Sequence, residues 1–375
     1  MRENEKLFPL TGKIATVSER LPRTFEESSD DPDAPVHKEA TPWTLRDCRV
    51  LLYFKTIRRL FIRCDFYVIV RHRLPTTGIE SPVVTFKRSH MSKSKVELVA
   101  AYFTLSGDVY PFGPTEISPF SFKDRVEAAA KAGWDGIGLI HSDIYATADK
   151  IGFQEMRRIL EANGIKHVEF EFLVDWYQTG ERRRTSDSQR YYYLKAAEEL
   201  RARIVKVGPG IGEDTANVSL MVEEFGTLAE DAEKRGTQVM LEIMPFSNVR
   251  TIETGKAIVE GANKANAGLL LDIWHLSRGN VDFKEIATIK PEFIKGIELD
   301  DADRYAIEPL WMDTCHKRRL PGEGVLDVKG FIKAVQATGF DGPWGVEILS
   351  EVERKLPLEE MATRAYNATI RQFEE

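Results

Sequence analysis

From Val96 to Phe373 the sequence alternates eight short apolar runs with amphipathic stretches, and this alternation limits the fold more than any other feature of the chain. The apolar runs lie at 96–102, 136–140, 167–173, 204–207, 238–243, 268–272, 293–299 and 344–348. Helical stretches are expected at 122–132, 152–163, 186–202, 217–235, 251–262, 282–289, 328–338 and 357–373. In 217–235 the residues Met221, Phe225, Leu228, Ala229 and Ala232 recur at helical spacing and build one apolar face. Gly133, Gly164, Gly236 and Gly339 follow four of these stretches, where a helix commonly stops. Strands separated by helices pair in parallel, and eight such units over about 285 residues match the count and size of an α/β (β/α)8 TIM barrel, whose active site sits at the C-terminal ends of the strands.

Four acids lie at that end of four successive strands: Glu242 in LEIMPF, Asp272 in LLLDIWH, Glu298 in FIKGIELDD and Glu347 in PWGVEILS. An unpaired buried anion is costly, so four that converge need a cation, and hard oxygen donors favour Mg²⁺ or Mn²⁺. A strand-end acid paired with a neighbouring Arg or Lys is the rival reading for any single member, but it is weak for the whole set. Gly296, Glu298 and Asp300 share one face of the seventh strand, which points Glu298 into the barrel. His141 at the end of the second strand, Lys206 in the fourth and Glu171 near the end of the third are candidates to line the same pocket. Trp176 and Trp274 are read either as pocket walls or as packing.

The first 90 residues have a different character. They carry 16 Lys+Arg against 12 Asp+Glu, whereas the remainder carries 36 against 47, a net of −11. No sustained helical or strand period runs through 1–90, so this part is read as an N-terminal extension, poorly ordered or not part of the native protein, with Met91 as the natural start in the latter case. The acidic body argues against nucleic acid as a partner. Charged residues interrupt even the apolar stretch 49–73, so no membrane span is expected. The chain shows no leader pattern, and Cys48, Cys64 and Cys315 are unpatterned, so reduced thiols and a cytoplasmic location are expected.

GWDGIGLIHSD (133–143), Glu242, the Asp-x-x-His of Asp272 and His275, the segment from Glu298 to Arg304, RRLPGEG (318–324) and Glu347 together resemble the xylose-isomerase-like sugar phosphate isomerase/epimerase superfamily over about Val96–Phe373. The resemblance implies one divalent metal ion, Mn²⁺ or Mg²⁺ with Co²⁺ or Zn²⁺ as alternatives, held by Glu242, Asp272, Glu298 and Glu347. It also implies Glu242 and Glu347 as catalytic base and acid, and His275 and Arg304 as contacts to substrate oxygens. For His275, orienting Asp272 is the competing role; for Arg304, a solvated ion pair with Asp301 or Asp303. The epimerase branch has His in the third ligand position and the hydroxypyruvate isomerases have Gln, whereas this chain has Glu298, which either ligates or pairs with Arg304. RRLPGEG could cradle a substrate phosphate or carboxylate.

The implied function is isomerisation or epimerisation of a small sugar, keto-sugar or polyol through a metal-stabilised enediolate, with dehydration of the inosose or 3-dehydroshikimate type as the alternative. Self-association is common among such barrels. An AP endonuclease needs several zinc-binding histidines, and only His141, His167, His275 and His316 follow Met91. A non-catalytic sugar-binding barrel is the remaining reading, should Glu298 disable the metal. Gly208–Gly212 lacks the Lys-Ser/Thr of a phosphate loop, and ERRRT (181–185) reads as an exposed helix start.

Overall fold

Eight parallel strands close into a barrel: β1 (Leu98–Ala100), β2 (Gly136–Ile140), β3 (His167–Leu173), β4 (Ile204–Val207), β5 (Gln238–Glu242), β6 (Ala267–Asp272), β7 (Ile294–Leu299) and β8 (Trp344–Val346). The computed structural model describes residues 96–213 and 215–374, so the expected extension over 1–90 and the Met91 start lie outside the described residues. β1 pairs with both β2 and β8, which closes the ring and leaves no barrel strand with an open edge.

The two-residue period of a strand sorts the side chains. Ile204, Met240 and Leu270 form a small cluster inside the barrel, whereas Val205, Val207, Val239, Leu241, Leu269, Leu271 and Ile297 join the large core between strands and helices. Two residues beyond the inner cluster, on the same inward face, stand Lys206, Glu242 and Asp272. Gly296 completes the lower layer, because a Cβ there would come within 2.3 Å of Met240 Sδ. Glu298 lies two residues above it, so a packed apolar floor carries a layer of charge.

The outer helices follow their apolar faces. Val218–Glu233 starts at Asn217, whose side chain accepts from the Leu220 N–H, and buries Met221, Phe225, Leu228, Ala229 and Ala232. Gly133, Gly164, Gly236 and Gly339 all have positive φ, the left-handed backbone that ends a helix. The expected helix at 152–163 is longer, running His141–Ala162 with a break at Gly152. The stretch 282–289 is a 3₁₀ helix, Phe283–Thr288, closed by a capping box between Asp282 and Glu285.

The main departures from the sequence expectation lie at the tops of the strands. Short helices follow there, Tyr102–Leu105, Ile273–Arg278 and Leu310–His316, which the long-period pattern did not show. The expected first strand therefore ends at Ala100, and the eighth ends at Val346 with Glu347 just past it. Among the described residues no helix is long and apolar enough to cross a membrane.

Candidate active site

At the C-terminal mouth of the barrel, Glu242 and Asp272 close β5 and β6, Glu298 lies near the end of β7 and Glu347 follows β8. Each offers an oxygen, and these four oxygens lie within 4.8 Å of one another. All four residues are buried. The group Glu242, Asp272 and His275 meets the same distance criterion. Buried polar atoms normally find partners, yet Glu242 Oε1 and Glu298 Oε2 accept no hydrogen bond. Such a set suits a divalent cation, which six to eight oxygens hold when it is Ca²⁺ and fewer protein oxygens plus water when it is Mg²⁺.

Two buried cations flank the acids. Lys206 is ion-paired with Glu298 Oε1 and lies 3.4 Å from Glu171 Oε2 and 3.5 Å from Glu347 Oε1. Arg318 donates to Asp272 Oδ2 at 2.6 Å, to Asp300, and to Thr314 Oγ1 at 2.9 Å; its other nitrogen is 3.3 Å from Glu347 Oε2. Its guanidinium lies over the Trp274 ring, 5.4 Å from the centroid. Arg318 reaches this place through a two-residue antiparallel ribbon, in which Ala302 pairs with Arg318 just past the end of β7. The sequence placed Arg318 in a substrate cradle; the fold makes it a partner of the protein's own acids.

Burial pushes the Glu298 carboxyl well above the ordinary range, with repulsion by Glu347 adding to it and Lys206 opposing. Burial likewise raises Glu242. Glu171 is pushed up to about 7 by burial and by Glu347, against the pull of Lys206. Burial works to raise Asp272 too, but Arg318 and the His275 side outweigh it and hold that carboxyl below its usual value. Asp300 shares Arg318 yet keeps Oδ1 buried without a partner, and burial carries it well above the usual range. The same carboxylates hold Lys206 and Arg318 in their charged forms despite burial.

A cavity of about 350 Å³ stands over this layer. His141, Glu171, Lys206, Glu242, His275, Arg318 and Glu347 reach it among its polar lining, and Phe103, Phe112, Phe172, Phe246 and Trp311 supply aromatic walls. Glu171 is fixed by accepting the Tyr102 backbone N–H at 2.6 Å, a contact for which Gly138 leaves room, since a Cβ there would lie 2.5 Å from Glu171 Oε1. His141 is half-buried with Nε2 unpartnered, and burial lowers its pKa.

The family model for the xylose isomerase-like TIM barrel matches residues 126–368. The chain belongs to that family. It is 28% identical over 240 residues to 3-dehydroshikimate dehydratase of Pseudomonas aeruginosa, covering 62% of this chain and 37% of that protein. It is 29% identical over 153 residues to inosose isomerase of Bacillus subtilis, covering 40% of this chain and 53% of that one. The chain thus spans less than two thirds of the length of these curated relatives, both of which are named as enzymes. Among solved structures, the IOLI protein with a bound zinc atom superposes with a TM-score of 0.65 at 20% identity, covering 74% of this chain and 97% of that one.

In this xylose isomerase-like barrel the residues named from sequence separate into two groups. Glu242, Asp272, Glu298, Glu347, His275, His141, Glu171 and Lys206 come together at the cavity or its floor. Arg304 does not: it sits exposed beyond the ribbon and is absent from the cavity lining, so Glu298 takes Lys206 as its partner instead. Asp303 pairs with Arg319 at 2.9 Å, and Asp301 accepts the backbone N–H groups of Gly322, Gly324 and Leu326. The glycines of RRLPGEG thus cradle an internal carboxylate, while Arg318 of the same segment lines the cavity.

His275 lines the cavity and touches two of the four acids. Its backbone N–H donates to Asp272 Oδ1 at 2.9 Å while its ring Nε2 stands 3.3 Å from Glu242 Oε1. Trp176 and Trp274 do not wall the cavity; Trp176 donates to the Gly208 carbonyl, and Trp274 packs on Arg318 and Arg278. Sequence reasoning missed Asp300 and Thr314 as partners of Arg318, and the aromatic walls. The inward alternation Gly296, Glu298, Asp300 carried a signal for Asp300, but nothing local marked the others.

Proposed function

We propose that this protein is a divalent-metal-dependent isomerase or epimerase of a small sugar, keto-sugar or polyol, working in the cytoplasm by moving a proton beside a carbonyl. The observation that carries the reading is the convergence of four buried carboxylates, two of them with an oxygen that accepts no hydrogen bond, under a cavity of small-molecule size. Glu242, Asp272, Glu298 and Glu347 would hold the ion, Mn²⁺ or Mg²⁺ by the all-oxygen donor set, with Zn²⁺ and Co²⁺ to be tested beside them. When bound, the ion polarises the substrate oxygens and offsets the charge that develops as the proton leaves.

The chain's own groups do the rest. Glu242 ends β5 and Glu347 follows β8, with two strands between them in the ring, and this separation supports assigning one as base and the other as acid. Burial raises the Glu242 carboxyl above its usual value, which makes it a stronger base. His141, Glu171, Lys206 and His275 are the polar groups that meet substrate hydroxyls, and the aromatic walls exclude water.

Dehydration is the second reading, favoured by the longer stretch matched with a dehydratase than with an isomerase. Both begin with the same proton abstraction. The test is to incubate Mn²⁺-loaded protein in D₂O with a panel of keto-sugars, inosose and 3-dehydroshikimate, reading deuterium uptake by NMR and any ultraviolet-absorbing product. Deuterium with an isomeric product supports the first reading, and an ultraviolet-absorbing product the second. Glu242→Gln and Glu347→Gln are expected to abolish turnover; both variants keeping metal and full turnover removes the assigned roles.

A further inference from the structure

Lys206 projects inward from β4 and is 1% exposed. A buried ammonium is costly unless its charge and its donors are matched, and this one faces three carboxylates: Glu298, Glu171 and Glu347. Two of these belong to the four-acid set, while the third, Glu171, is tied to the Tyr102 backbone and lies outside that set. Glu298 is thereby divided: Oε1 is taken by Lys206 and Oε2 is left buried without a hydrogen bond.

The charge count gives the division a reason. With all four acids ionised, as ligation requires, they carry four negative charges, and a divalent ion offsets only two. Where the acids are this buried the remainder is matched from the protein, and Lys206 and Arg318 are the cations placed to do so. A neutral third ligand would need less of this than Glu298 does.

We propose that Lys206 is a positioning residue of the metal site, holding Glu298 by one oxygen and compensating the charge that a carboxylate brings to the third ligand position. The inference rests on the metal reading given above. Lys206 then trades affinity for order. It repels the ion it sits beside, but without it the metal-free acids would keep Arg318 alone and Glu298 would lose its cation.

The test compares the wild type with Lys206→Met, Glu298→Gln and the double variant, using full-length protein. The readouts are the melting temperature in excess EDTA and the Mn²⁺ dissociation constant, obtained by competition with a fluorescent chelator. Lys206→Met is expected to melt lower without metal yet bind Mn²⁺ at least tenfold tighter. A lysine that only supports the fold would weaken both together. Mn²⁺ affinity unchanged within twofold, or weaker, in Lys206→Met overturns the proposal. Should that variant not fold, the double variant removes one charge of each sign; it is expected to bind Mn²⁺ at least tenfold tighter than Glu298→Gln alone, and equal affinity overturns the proposal. A wild-type protein that takes up no divalent ion fails the metal reading itself, and this inference with it.

Discussion

Arg318→Met is the substitution whose cost follows most directly from the structure. The guanidinium is 1% exposed and binds Asp272, Asp300 and Thr314, with Glu347 3.3 Å away. Methionine fills most of the volume but leaves Asp272 and Asp300 facing each other without a cation, and breaking a buried pair in this way costs about 3–5 kcal/mol. For a domain of this size each kcal/mol shifts the melting temperature by ~2–4 °C, so the metal-free variant should melt roughly 6–20 °C below wild type. The assay is thermal unfolding followed by circular dichroism at pH 7 in EDTA, with Arg319→Met as the control. Arg319 makes a half-exposed pair with Asp303, worth about 0–1 kcal/mol after solvent screening. Adding Asp300→Asn to Arg318→Met removes one stranded anion and should recover part of the loss. If Arg318→Met melts within about 1 °C of Arg319→Met, the reading of Arg318 as the counter-ion of the acid layer is wrong.

Gly138→Ala should cost about 1–3 kcal/mol, because its Cβ would lie 2.5 Å from both Glu171 Oε1 and the Tyr102 backbone nitrogen and must displace one of them; an unchanged urea midpoint would show that the contact is unimportant. The metal-free protein should lose stability as pH rises from 5 to 7.5. Glu242, Glu298 and Asp300 have raised pKa values and Glu171 lies at about 7, four groups against His141 and His316, whose lowered values act the other way, so on balance the folded state binds more protons than the unfolded state across that window. Asp272 shifts the other way, but its contribution is lost only below its ordinary value and is constant from pH 5 upward. Urea midpoints in EDTA that stay level or rise over this window would contradict the assignment, and saturating Mn²⁺, which binds the deprotonated acids, should reverse the slope.

The barrel and the acid layer were legible in the periodicity of the chain. A period of two within strands and of 3.6 between them is a local property, and eight such units have one closed solution; Glu242, Asp272, Glu298 and Lys206 followed because inward positions repeat every second residue. Positive-φ glycines after four helices were legible for the same reason, since a helix stop is set by the residue that makes it. The counter-charges were set by contacts between segments far apart in the chain. Arg318 reaches Asp272 across 46 residues, through a ribbon two residues long, and Arg304, six residues past Glu298, points outward. Which cation meets which acid depends on how the loops after the strands fold back, and that is fixed by backbone bonds such as those from Gly322 and Gly324 to Asp301, where no periodic pattern exists to be read.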